Sequence, residues 1–199
     1  MVMSAIDQSI RGSVNALSVA LNERDSYTQS HCNRVVMLAE ALGTACGISA
    51  EDHTHLRICA LFHDIGKLGV PDSVLLKPGR LTPEEWVLMK AHAEQGERIF
   101  RATEIAKLEL TAPIIRHHHE SYDGSGYPDG LKGEAIPPVS RILLVVDGYD
   151  AMSSSRPYHK ARSHQEIINI MGSEEGKKLD PFMFGHFLRL IEHSSLRVN

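Results

Sequence analysis

Four helix-start signatures, with no segment that alternates convincingly between apolar and polar residues, constrain this chain to bury helix against helix. Thr82-Pro83-Glu84-Glu85 has an N-cap Thr, a Pro at the first helical position and a Glu at the third. Ser49-Ala-Glu-Asp52 and Ser163-His-Gln-Glu166 have the capping-box form, and Asp180-Pro181 opens a last helix. His31, Val35, Leu38, Ala39 and Leu42 share one helical face that Gly43 ends. Leu56, Cys59, Ala60 and Phe62 carry another helix to His63-Asp64-Ile65, where Gly66 is expected to end it. Leu108, Ala112, Ile115 and His119 mark a further face, in a segment that Pro113 is expected to start or kink. The apolar run Ile142 to Val146 continues into helical spacing, so Arg141 to Met152 reads as a helix. The expected fold class is all-α, with about seven to nine helices and no internal repeats.

Residues 121–139 break this pattern. Gly124, Gly126, Gly130, Gly133, Pro128, Pro137 and Pro138 leave no room for a regular element, and such a stretch inside a compact domain is usually functional or disordered. At 199 residues the chain suits one domain with an added element. That element is residues 1–24, where Ile6, Ile10, Val14, Leu17 and Leu21 draw a thin stripe along an amphipathic helix. It suits a linker that packs on its own domain as well as a homodimer contact with a second copy.

Charge and cysteine content exclude several classes. The 21 Lys and Arg against 25 Asp and Glu give a net charge of -4 with no basic run, which disfavours a nucleic-acid polymer as partner. Three cysteines without a C-x-x-C pair argue against a disulfide framework or a thiolate zinc site and fit a reducing cytosol. No apolar run approaches the roughly 20 residues of a membrane span, and the opening residues lack a signal pattern, so a cytoplasmic chain without membrane contact is expected.

Histidine is over-represented, at 12 of 199 residues, and part of the excess falls in pairs. His63-Asp64 ends an apolar helix, and His118-His119 precedes the glycine-rich stretch. His31 and His92, each taken alone, read more simply as satisfied core histidines. Burying several imidazoles and carboxylates without metal or mutual pairing is costly, and this mixture suits manganese, iron or zinc better than calcium or magnesium. Spacing alone leaves a metal site and a self-paired polar core equally open.

Three motifs resolve that ambiguity by resemblance. His63-Asp64-Ile65-Gly66-Lys67, then His118-His119-Glu120 through Tyr127-Pro128, then Asp147-Gly-Tyr-Asp150 through Arg156-Pro-Tyr158, together resemble the HD-GYP family of cyclic-dinucleotide phosphodiesterases. Met89-Lys-Ala-His92 and Thr28-Gln-Ser-His31 also match, and the similarity covers roughly residues 20–195. The resemblance implies an all-α HD-type phosphohydrolase domain over residues 25–199. It implies that His31, His63, Asp64, His92, His118, His119 and Asp147 ligate two divalent transition-metal ions, with Asp64 bridging them. Iron or manganese come first, and zinc, nickel or cobalt are alternatives. Tyr27 stands where some members carry a Glu that helps hold a third metal, so two are expected.

The implied reaction is hydrolysis of cyclic di-GMP to linear pGpG, with slower or no further cleavage to GMP, by attack of a metal-bridging hydroxide on phosphorus. Asp64 and Lys67 are the expected catalytic residues, Lys67 placing its ammonium on a phosphoryl or leaving oxygen. Lys67 is also expected to contact substrate. The resemblance puts Asp150 at a guanine N1/N2 edge, and the planar fork of Arg156 suits guanine O6/N7. Tyr127 either positions a base or belongs to a loop that braces helix ends and presents a surface to regulatory proteins. Glu120 and Asp123 are candidates to orient imidazoles. Of the seven histidines the motifs do not need, His117 lies nearest to them in sequence. Two other functions fit the same motifs: a phosphodiesterase for 3',3'-cyclic GMP-AMP, and a non-catalytic cyclic-dinucleotide sensor or protein-interaction module.

Overall fold

In a computed structural model, which describes residues 28–154 and 160–198 together with residues 12, 16, 19 and 20, the chain is helical throughout its regular structure. The stripe residues of the expected N-terminal helix, Tyr27 and Arg156 lie outside the described residues. The elements are α1 (Thr28–Cys46), α2 (Ala50–Phe62), a 3-10 turn (Ile65–Gly69), α3 (Asp72–Leu75), α4 (Pro83–Lys90), α5 (His92–Arg101) and α6 (Ala106–Arg116). A second 3-10 turn (Gly133–Ala135), α7 (Pro138–Ser153), α8 (His164–Ser173) and α9 (Pro181–Ile191) complete it. Among the described residues there is no strand, only a single bridge between Glu175 and Leu179.

The four capping signatures act as their chemistry dictates. Thr82 accepts the Glu85 N–H while the Glu85 carboxylate accepts the Thr82 N–H, and Ser163 and Glu166 repeat the exchange. Ser49 accepts from Asp52 N–H, and the Asp180 carboxylate takes the N–H groups of Phe182 and Met183.

Helix α7 is the centre of the core. It packs against α1, α2, α6, α8 and α9, so Ile142 to Val146 are all buried, and a helix enclosed on every side needs no polar stripe. Each such side chain contributes about 1.5–3 kcal/mol relative to its exposed state.

Two local expectations differ from the structure. Pro113 lies inside α6 instead of starting it, because buried Leu108, Ala112, Ile114 and Ile115 hold the helix together across the missing N–H. Helix α2 ends at Phe62, before Gly66, and the chain tightens into the 3-10 turn. That turn lies directly on α5, where a Cβ on Gly66 would stand 1.8 Å from the His92 carbonyl oxygen. The end of α2 is thereby pressed against the start of α5.

Candidate metal centre

The cluster is assembled from helix ends. His63 caps α2 and Asp64 follows it, His92 opens α5, and His118 and His119 follow α6. His31 lies in the first turn of α1, and Asp147 and Asp150 project from α7. The structure brings His31, His63, Asp64, His92, His118, His119 and Asp147 together, and His31, His63, His92 and His118 are each no more than 2% exposed.

Helix C-termini leave carbonyls without intrahelical partners, and three histidines use them. Nδ1–H of His63, His92 and His118 donates to the carbonyls of Ala60, Met89 and Ile115, at 3.2, 2.7 and 2.5 Å. A carbonyl can only accept, so each ring carries its proton on Nδ1 and turns the Nε2 lone pair inward. The His92 and His118 Nε2 atoms face each other at 3.3 Å, and His63 Nε2 is buried without a hydrogen-bond partner. Burial pushes the imidazoles of His92 and His119 down and that of His118 down to about 3, so these rings are neutral. Two lone pairs opposed at this distance repel each other, and a cation beside them relieves that repulsion.

The carboxylates complete the set. Burial alone would raise the Asp64 carboxyl, but Lys67, His63 and His92 outweigh it and hold it well below the usual range. Asp64 Oδ1 lies 3.7 Å from His92 Nε2, while Oδ2 lies 3.5 Å from His63 Nε2 and 2.6 Å from Lys67 Nζ. It thus stands between two groups of donor atoms, His92/His118/His119 and His31/His63/Asp147, each gathered within 4.8 Å. Asp147 Oδ1 is 3.2 Å from His31 Nε2 and 3.8 Å from His63 Nε2. Burial opposes the charge on His31, but Asp147 and Asp150 prevail and raise its pKa to about 10, so a cation taking His31 Nε2 displaces a proton. The neutral imidazoles of His92, His118 and His119 beside ionised carboxylates, with the orphaned His63 Nε2 among them, fit divalent transition metals.

Asp150 is turned to α1. It is 2% exposed and accepts His31 Nδ1–H at 2.7 Å, while the Arg34 guanidinium holds both of its oxygens at 2.6 and 2.9 Å. His31 and Arg34 thus place three donors on its two oxygens, and Asp150 orients the His31 ring. Arg34 was not visible as a site residue, although its spacing of three from His31 puts it on the same face of α1. Neither Glu120 nor Asp123 orients an imidazole: Glu120 accepts the Asp129 backbone N–H at 2.7 Å, and Asp123 holds Ser125. His117 turns away to Asp129 at 2.8 Å, part of a brace in which Arg116 grips the same carboxylate with two nitrogens.

The Tyr127 ring lies against His119 with centroids 4.9 Å apart, and Trp86 meets its edge at 6.3 Å. Close approach of this loop needs Gly126, where a Cβ would lie 2.1 Å from the Ser121 amide nitrogen. Tyr127 therefore braces a candidate ligand ring. No helix among the described residues is long and apolar enough to cross a membrane.

The HD domain family model matches residues 15–183. The cyclic di-GMP phosphodiesterase response regulator RpfG of Xanthomonas campestris pv. campestris is 37% identical over 187 residues, covering 94% of this chain and 50% of that protein. A cyclic di-GMP phosphodiesterase of Thermotoga maritima is 41% identical over 174 residues, covering 87% of this chain and 47% of that protein. A solved cyclic GMP-AMP specific phosphodiesterase of Vibrio cholerae has the same fold, with a TM-score of 0.68 at 19% identity, over 92% of this chain and 49% of that one. The chain spans about half the length of the curated relatives it matches.

Proposed function

The chain belongs to the HD domain family, and from that premise we infer that it is a metal-dependent phosphodiesterase that opens cyclic di-GMP to linear pGpG. The observation that carries this reading is the pair of inward-facing donor groups joined by Asp64. His92, His118 and His119 would hold one ion and His31, His63 and Asp147 the other, with Asp64 shared between them. Iron or manganese are preferred for an imidazole-rich set with two carboxylates, ahead of zinc, nickel or cobalt. Such ions, when bound, supply Lewis-acid charge and acidify water.

The chain's own residues do the rest. The carbonyls behind His63, His92 and His118 fix the tautomers before anything binds, so these three rings need no change of tautomer on loading. Lys67 holds a proton and a positive charge 2.6 Å from Asp64, where it suits charge developing on a phosphoryl or leaving oxygen. Arg156 supplies a guanidinium fork for a guanine O6/N7 edge, and Tyr127 borders the substrate by way of His119. Two divalent ions, two ligand carboxylates and the two phosphodiesters of the substrate sum to neutrality, so an acidic chain accepts an anionic ring. The reading places this activity in residues 25–199, in the cytoplasm. It leaves residues 1–24 as a homodimer contact or linker and the Tyr127 loop as a surface for regulatory proteins.

Anaerobic purification with metal quantitation, followed by chromatography of products from cyclic di-GMP and 3',3'-cyclic GMP-AMP, tests it. The expected result is about two metal ions per chain and conversion of cyclic di-GMP to pGpG. Substrate left intact over hours by protein holding both ions would overturn it and favour the sensor reading. Faster turnover of the mixed ring would move the substrate assignment to cyclic GMP-AMP. Asp150→Asn is expected to weaken metal binding by about 10–100-fold, because the carboxylate behind a ligating imidazole sets its orientation and basicity. Competitive titration with a chelator measures this, and unchanged affinity would deny Asp150 its positioning role.

A further inference from the structure

With three donors already on Asp150, a second carboxylate beside the cluster is free to read a guanine N1/N2 edge. A cavity of about 200 Å3 opens beside the cluster, lined by His119 and Asp147, by Gly148 and Ala151 of α7, and by Glu174 and Lys178 after α8. Its size suits one base and not a whole dinucleotide. Leu144 and Met171 give it apolar surface for a ring face, and a Cβ on Gly148 would meet nothing within 4 Å.

The turn that carries the polar end is held by backbone hydrogen bonds, while the Glu174 and Lys178 side chains on it are 35% and 45% exposed. The Glu174 carbonyl accepts the N–H groups of Lys177, Lys178 and Leu179, at 3.1, 3.0 and 3.1 Å. The Lys177 and Lys178 carbonyls in turn accept from Asp123 and Tyr122 N–H, at 2.7 and 3.0 Å, tying this turn to the loop that follows His119. The Glu174 carboxylate and the Lys178 ammonium stand 3.8 Å apart, an acceptor beside a donor.

We propose that this cavity takes one guanine base of the cyclic dinucleotide, with Glu174 accepting from N1–H and the N2 amino group and Lys178 donating to O6. The proposal rests on the phosphodiesterase reading for its ligand. Guanine presents an acceptor and then two donors along that edge, the complement of an ammonium beside a carboxylate. Adenine presents a donor opposite the ammonium and an acceptor opposite the carboxylate, so both contacts become repulsive. His119 and Asp147 line the same cavity, so a base seated there lies next to the candidate metal ligands.

The test measures equilibrium binding of cyclic di-GMP and cyclic di-AMP to the metal-loaded chain, alongside their hydrolysis. Wild-type protein is expected to favour the guanine ring by about tenfold or more. Glu174→Gln is expected to cut that preference by at least about tenfold, because a carboxamide offers the acceptor and donor that an adenine edge needs. Gly148→Leu is expected to weaken both rings by filling the cavity. A preference unchanged by Glu174→Gln, or full affinity in a folded Gly148→Leu protein, overturns the proposal; Glu174→Gln decides alone should the leucine variant not fold. Guanine preference lost in Glu174→Gln without turnover in any sample would sustain the cavity and overturn the phosphodiesterase reading. Turnover of both rings with an unaltered preference would do the reverse, and a wild-type chain that binds neither ring removes both.

Discussion

Asp64→Ala is expected to lower kcat/KM on a cyclic dinucleotide by about a thousandfold or more, since each factor of ten corresponds to about 1.36 kcal/mol and a metal pair supplies several of these. The reason is positional. Asp64 faces both donor groups, 3.7 Å from His92 Nε2 through one oxygen and 3.5 Å from His63 Nε2 through the other. The same oxygen holds Lys67 Nζ at 2.6 Å. On the proposed reading its removal would subtract a ligand from each ion, together with the partner that holds the ammonium. Metal quantitation and product chromatography on one sample separate these losses: lost metal with lost turnover implicates ligation, and retained metal with lost turnover implicates Lys67. Full turnover with two bound ions would refute the shared role of Asp64. A His63→Ala/Asp64→Ala chain that kept its whole cellular effect would favour an interaction module over an enzyme.

Four of the seven cluster residues were legible in the sequence as the adjacent pairs His63-Asp64 and His118-His119, and His31, His92 and Asp147 joined them through the resemblance of the motifs. What orients them was not legible. The groups behind His63, His92 and His118 are backbone carbonyls, which every residue possesses, so no side-chain pattern reports them. The side-chain candidates for that task, Glu120 and Asp123, brace the loop instead. Asp150 shows a second limit. Its spacing of three from Asp147 put both on one face of α7, correctly, but the partner on that face comes from α1, where Arg34 lies 116 positions away in sequence. Periodicity says which residues face together and is silent on what they face. The same holds for Glu174 and Lys178, which reach the neighbourhood of His119 only because their turn is hydrogen-bonded to the loop after it.

Gly66→Ala is expected to destabilise the fold by about 3 kcal/mol, at the upper end of overpacking penalties, and to disperse the cluster. The added methyl would lie 1.8 Å from the His92 carbonyl oxygen, 2.7 Å from its carbon and 2.6 Å from the Gly96 amide nitrogen. These are backbone atoms, so no rotamer change relieves the contact; α5 must move away from the turn. His92 heads that helix, and its Nε2 is one of the two nitrogens opposed at 3.3 Å, so displacement of α5 opens the pair and draws His92 from Asp64. For a chain of this length the destabilisation corresponds to a fall in Tm of about 6–12 °C. Gly172→Ala is the comparison: it sits in α8, where a Cβ meets nothing within 4 Å, and the change is expected to be neutral or stabilising by about 0.5–1 kcal/mol. Chemical denaturation of both variants, with metal content measured beforehand, decides the matter. A Gly66→Ala chain as stable as the Gly172→Ala chain and equally loaded would show that α5 yields without cost, and that the tight seam between the 3-10 turn and α5 does not hold the cluster together.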